Sequence, residues 1–265
     1  MEKYESVQIK AIEQWKNEEP GILSQTFEFV TSPLTWAVTQ LVPAKLVKAA
    51  IEAADQIARS LVDVNDIKHD AGITSINELR SKSLSISDTM AENVHNWAIG
   101  MGGTEGAALG ATGAGGIVLD VTALITLSLR TIHKLGLCYG YERVEKQFVL
   151  GILSAACANS KKEKHEMMES LEAIEKAMIE EVWEEQIKDV IKESAAKGTV
   201  FFTAIGLGKQ LGKYLARRKA LQLVPGVGAV LGGATNIWFL TDVGWAARRL
   251  FQEQWLKENG YISVS

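Results

Sequence analysis

Two stretches decide how this chain is read: Glu105–Arg130, EGAALGATGAGGIVLDVTALITLSLR, and Leu223–Arg249, LVPGVGAVLGGATNIWFLTDVGWAARR. Each begins in glycine and alanine and passes into an apolar segment, where a flexible linker would turn polar. Glycine inside a helix costs about 1 kcal/mol relative to alanine. A helix that keeps several is therefore one whose backbone comes close to something. The two stretches also share a spacing, because Leu109-Gly110 precedes Asp120-Val121 by the interval that separates Leu231-Gly232 from Asp242-Val243. The match suggests two related glycine-rich helices packed on each other, by duplication or by coincidence.

The flanking sequence is helical in period. Ile9, Ile12 and Trp15 recur at helical spacing, as do Leu46, Ala49, Ala50, Ala53 and Ile57 in a segment entered through Pro43. Residues 161–192 read as one long amphipathic helix or a broken pair, with Met167, Leu171, Ile174, Met178, Val182, Ile187 and Val190 on the apolar side. Period-two alternation is almost confined to Tyr261–Ser265. The expected fold is all-α: a compact helical domain of about eight to ten helices centred on the two glycine-rich ones.

With 47% hydrophobic and 23% charged residues in 265, the chain is neither disordered nor a disulfide scaffold. Two cysteines, Cys138 and Cys157, suggest a reducing compartment. The N-terminus MEKYESVQIKAIEQWKNEEP has no apolar signal region, which points to a cytoplasmic protein. A net charge of −4 argues against a surface built for nucleic acid. That mild total hides a dipolar layout: residues 161–193 carry 11 acidic and 6 basic side chains, whereas Lys209, Lys213, Arg217, Arg218 and Lys219 follow one another with no acid between them.

Membrane insertion is weakly supported. Residues 107–129 hold nine Leu, Ile or Val, worth roughly −3 to −5 kcal/mol on transfer, of which Asp120 returns about 2.5–3.5. Residues 223–240 contain Pro225, four glycines and Asn236 and reach only the lower limit for a span. The glycine-rich helices either form a closed internal pair, with Asp120 bonded to Asn236, a threonine or an arginine, or reach lipid in a second state. The basic segment is laid out like an interfacial helix, with Lys209, Lys213 and Arg217 on one face and Leu207, Leu211 and Leu215 on another. A solvated face of a core helix gives the same pattern.

Chemical motifs are nearly absent. Gly206, Gly208 and Gly212 give GxGxxxG, the wrong spacing for a dinucleotide loop, and no Walker A sequence occurs, so no nucleotide is expected. His165-Glu166 with Glu169 lacks the second histidine of a zinc helix; His69, His95 and His133 have no ligand spacing, and the cysteines form no CxxC. Ser154 stands outside a nucleophile elbow. Neither metal nor cofactor is expected. Asp120 and Asp242, carboxylates among apolar residues, are the candidates for a buried polar network with Asn236, or for an acid or base.

Several separated motifs together resemble the bacterial EcsC family: Leu84–Ala91 with Asp88, Trp97, Glu105-Gly106 and the run to Asp120, Leu129-Arg130, Tyr139-Gly140-Tyr141, and LVPGVGAVLGGATN from Leu223 to Asn236 with Asp242 beyond. The resemblance runs from about Pro33 to Leu256, which divides the chain into an N-terminal helical extension, residues 1–32, and an EcsC-like helical domain, residues 33–265. It implies an association with an ABC exporter that influences secretion and carries no assigned catalytic residues. The resulting expectation is a non-enzymatic cytoplasmic accessory protein. It would dock on the inner membrane face or on a transporter, meeting anionic headgroups or an acidic partner with Lys209, Lys213, Arg217, Arg218 and Lys219. The alternatives are a hydrolase acting on lipid or peptide through a buried Asp, and a soluble helical interaction module.

Overall fold

The computed structural model describes residues 3–19, 44–110, 114–158, 160–179, 204–219 and 228–263. These form nine α-helices and one 3-10 turn, with no strand among the described residues. The helices are α1 (Lys3–Asn17), α2 (Ala44–Ser60), α3 (Val64–Ala71), α4 (Leu84–Gly110), α5 (Ala114–Cys138), α6 (Lys146–Ala156), α7 (Lys161–Ile179), α8 (Ala204–Lys219) and α9 (Gly228–Glu258), with the 3-10 turn at Ile76–Ser81. Tyr261–Ser263 is irregular, so the short alternation there is not a strand; Val264 and Ser265 lie outside the described residues.

The longest helices, α4 with 27 residues and α9 with 31, run antiparallel along each other and form the most extensive contact in the fold. Small residues make the approach possible. A Cβ added at Gly233 would sit 2.9 Å from the Gly103 carbonyl oxygen, one at Gly103 would meet Ile237, and one at Gly102 would strike Leu240. Further along, Gly244 lies under the His95 ring, and beyond it Gln252 bonds Asp88. The second glycine-rich stretch thus packs chiefly on α4, not on a helix spanning Glu105–Arg130. That first stretch divides between the end of α4 and the start of α5, residues 111–113 lying outside the described ones. The equal spacing has no structural counterpart. Leu109 and Asp120 fall on different helices, whereas Leu231 and Asp242 share α9.

α5 packs on α4, α2 and α9, and α8 lies on α2. The stretch Ile117–Cys138 is the one described helix long and apolar enough to cross a membrane, and 72% of its most apolar part is buried against these neighbours. α2 forms where expected but is turned by about one position: Val47, Ala50, Ile51, Ala54 and Ala58 are buried, while Ala49, Ala53 and Ile57 face outward. Two alanine-containing stripes at helical spacing competed, and the one with Val47 and Ile51 buries more apolar area. In α7, Met167 and Leu171 are inside, with Leu171 seated on Gly151 of α6. Residues 180–203, with the expected apolar positions Val182, Ile187 and Val190, lie outside the described part, as do the side chains of Ile174 and Met178.

α1 docks on α9 and α7. Lys16 meets Glu253 at 2.7 Å, and Lys164, held over the Trp15 ring, donates to the Trp15 carbonyl at 2.7 Å. Local caps close the smaller elements. Asp63 accepts from the Asn65 amide at the start of α3, Gly72 ends it at φ 59°, and Glu78 accepts from the amides of Thr74 and Ser75.

Gly140, just beyond α5, has φ 89°, and a Cβ there would lie 2.8 Å from the Arg80 amide nitrogen. Gly140→Ala should therefore lower stability in urea by roughly 2–4 kcal/mol, from left-handed strain plus overpacking. Gly72→Ala, with φ 59° and open space around it, should cost only about 1–2 kcal/mol. Equal losses at the two positions would mean that the approach to Arg80 contributes nothing.

Candidate functional site

Two buried polar clusters interrupt the apolar interior, one towards each end of α9. The first joins α5, α8 and α9. Asp120, 1% exposed, accepts from Lys219 Nζ at 2.5 Å through Oδ2 and from Asn236 Nδ2 at 2.8 Å through Oδ1, and Lys219 also donates to Asn236 Oδ1. Asp120 sits in a helix that is otherwise apolar through this turn, so its carboxylate is placed by neighbours it cannot avoid. The expected Asp120–Asn236 contact is present, and the cation that completes it is Lys219.

That placement corrects one expectation. Lys219 is 0% exposed and does not belong to an outward basic face. A carboxylate removed from water demands a counter-charge, and the end of α8 supplies it on a long apolar stem. Burial lowers the Lys219 pKa from its ordinary value, and the field of Asp120 opposes that shift. Asp242 is likewise separate from the network. Half-buried on α9, it accepts from the Tyr214 hydroxyl at 2.5 Å. Of the other expected surface residues, Lys209 and Lys213 are exposed, while the side chains of Arg217 and Arg218, in the last turn of α8, lie outside the described ones. Leu207, Leu211 and Leu215, the apolar face expected to meet lipid, are buried in the core.

The second cluster was not anticipated as a site. Asp88 on α4 accepts from Tyr4 at 2.6 Å, Tyr139 at 2.6 Å and Gln252 at 2.7 Å, drawing α1, α5 and α9 onto α4. Burial first, and the bond to Asp88 with it, raises both phenols well above their usual range, so they stay neutral donors. Arg249 extends the cluster to Gln8 at 3.0 Å and Gln252 at 2.9 Å. Asp88 and Tyr139 are both among the motif residues of the resemblance, but no sequence spacing pairs positions 51 apart.

Catalytic chemistry finds little support in either cluster. Asp120 is sealed and bonded on both oxygens, and Asp88 already accepts three hydrogen bonds. Burial pushes the Cys138 thiol up to about 12, too high for a nucleophile at neutral pH. His95, between the clusters, is held down to about 4 by burial and by the nearby Arg248 charge, with the carbonyls of Leu240 and Thr241 pulling the other way.

Residues 6–256 match the EcsC protein family. The chain belongs to that family. Among curated proteins it is similar to Protein EcsC of Bacillus subtilis (strain 168), 24% identical over 246 residues that cover 88% of each chain. It is also similar to the uncharacterized protein YdbA of the same organism, 23% identical over 184 residues, 69% of this chain and 63% of that one. No solved structure matches. The family match begins at residue 6, within α1 of the N-terminal helical extension, and the Tyr4–Asp88 bond joins that helix to α4.

Asp120→Ala should destabilise the fold by about 3–5 kcal/mol, because it strands the Lys219 charge. Asp120→Leu combined with Lys219→Met should recover half of that loss or more in thermal unfolding; no recovery would contradict the pairing. Acid should act through His95. The unfolded ring takes up a proton near its ordinary 6.5 while the folded ring resists until about 4, so this contribution is complete above pH 6.5 and is lost as pH falls to 4, by up to about 3 kcal/mol. His95→Gln should flatten the stability profile across that window, and an unchanged slope would refute the assignment.

Proposed function

We propose that this EcsC-family protein is a non-enzymatic cytoplasmic accessory protein that docks peripherally on the inner face of the cell membrane, or on an ABC-type transporter within it, in support of secretion. The observation that carries this reading is α8. It holds no acidic residue, buries Leu207, Leu211 and Leu215 in the core, and turns Lys209 and Lys213 to solvent one helical turn apart. A helix whose apolar side is already used attaches by charge and leaves its fold unchanged on binding. Large apolar side chains left outward on the glycine-rich helices, Leu119 on α5 and Ile237 on α9, offer additional contact area. The transporter is what the family resemblance adds.

An acid or base role for a buried carboxylate is the weaker reading, since Asp120 is bonded to a lysine that shares its burial. A soluble interaction module keeps the same exposed lysines and differs only in partner.

Flotation with vesicles separates these readings. Purified protein should float with phosphatidylglycerol-containing vesicles at low salt, and should fail to float with phosphatidylcholine alone or at high salt. Lys209→Ala with Lys213→Ala should weaken binding by roughly 30-fold, at about 1 kcal/mol per lysine near an anionic surface. Flotation that ignores salt and charge removal, or none at all, overturns the electrostatic docking.

A further inference from the structure

One buried arginine has, among the described residues, an aromatic ring against it and no hydrogen-bond partner. Arg248 is 7% exposed, yet its guanidinium donates no hydrogen bond and lies within ion-pairing distance of no carboxylate among the described residues, and its Nε is fully enclosed. Buried arginines are ordinarily satisfied by a carboxylate or by several carbonyls. The carboxylate of the adjoining cluster, Asp88, is already taken by Tyr4, Tyr139 and Gln252. Arg248 also has a like charge for a neighbour. Arg249 beside it is a second cation, its Nη1 bonded to Gln8 and Gln252 and its Nε enclosed and unpartnered; burial and Arg248 lower its pKa, and Asp88 opposes them.

Both guanidinium groups rest on one aromatic ring. The Arg248 carbon is 4.6 Å and the Arg249 carbon 5.0 Å from the Trp245 centroid, and the His95 ring meets Trp245 edge-on at 5.7 Å. His95 Nε2 is enclosed against Gly244 of α9, so the ring supports Trp245 and is not itself presented to a ligand. Trp245 itself is 37% exposed, so the group opens to solvent along that ring. Two forked donors and a ring that fixes their planes suit a tetrahedral oxyanion.

We propose that Arg248, with Arg249 and Trp245, forms a binding site for a phosphate group. The ligand is a phosphate or phosphomonoester, whose negative oxygens take the guanidinium donors of Arg248 and those of Arg249 not already given to Gln8 and Gln252. A free phosphate compound and the phosphomonoester headgroup of a lipid present the same chemistry to it. The site stands on α9, shares no residue with the lysines of α8, and does not rest on the docking reading above.

The test uses the full chain and two probes. Inorganic phosphate is titrated by calorimetry and followed by thermal unfolding, and vesicles of phosphatidylcholine with or without phosphatidic acid are used in flotation. In the wild type, phosphate should raise the melting temperature. Arg248→Met should raise it without phosphate, by removing the stranded charge, and should abolish the phosphate-dependent rise. Arg248→Lys, which keeps charge and loses the fork, should bind on the order of tenfold more weakly, and it serves if the methionine variant does not fold. Inorganic phosphate bound in an Arg248-dependent way assigns the site to a free phosphate compound. Arg248-dependent flotation with phosphatidic acid and no response to inorganic phosphate assigns it to a lipid headgroup. Binding that survives both substitutions, or response to neither probe, overturns the site. Lys209→Ala with Lys213→Ala should leave phosphate binding unchanged, so failure of α8 docking and failure of this site are read separately.

Discussion

The close approach of α4 and α9 is the constraint on which the rest of the structure depends. Glycines at 102, 103 and 233 let two long backbones come together where any side chain would hold them apart. Each glycine gives up helix propensity, and the loss is offset by packing over the length of both helices. α5 and α1 then pack against this pair, and their positions follow from it. Small residues alone are tolerant of sliding, so the pair needs something directional to fix its register.

Polar groups supply that direction. Asp88 receives donors from three other helices near one end, and Asp120, Lys219 and Asn236 close on one another about sixteen residues, or roughly 24 Å, further along α9. A buried ion pair adds little net stability compared with apolar residues of the same shape, but any slip of one helix by a turn leaves charges unpaired, and that alternative is expensive. The clusters therefore select one packing among several that the smooth glycine surfaces would accept.

How much of this was legible in the sequence depended on whether the signal was local. The helical class, the closeness implied by glycine and the Asp120–Asn236 contact could all be read, because each is a periodicity or a polar residue in an apolar run. Lys219 could not be separated from Lys209 and Lys213, since its burial depends on where Asp120 lies, 99 residues earlier. The face of α2 was misread because two stripes of small residues look alike until a partner is chosen. Asp88 gave no signal as a hub, and Arg248 reads as one basic residue among many until it is seen buried with no carboxylate paired to it among the described residues. The repeated spacing around Asp120 and Asp242 was legible and misleading, since one copy crosses a helix boundary and the other does not.

The separation of partners along the chain also sets a timetable for biosynthesis. Asp88 waits 164 residues for Gln252, which at ribosomal speeds of about 5–20 residues per second is roughly 10–30 s. During that interval α4 and α5 have been made and their central partner has not, so a glycine-lined, largely apolar hairpin stands open with a carboxylate in each helix. The nascent chain thus depends on whatever shields apolar surface at the ribosome exit until α9 has been made and covers the hairpin.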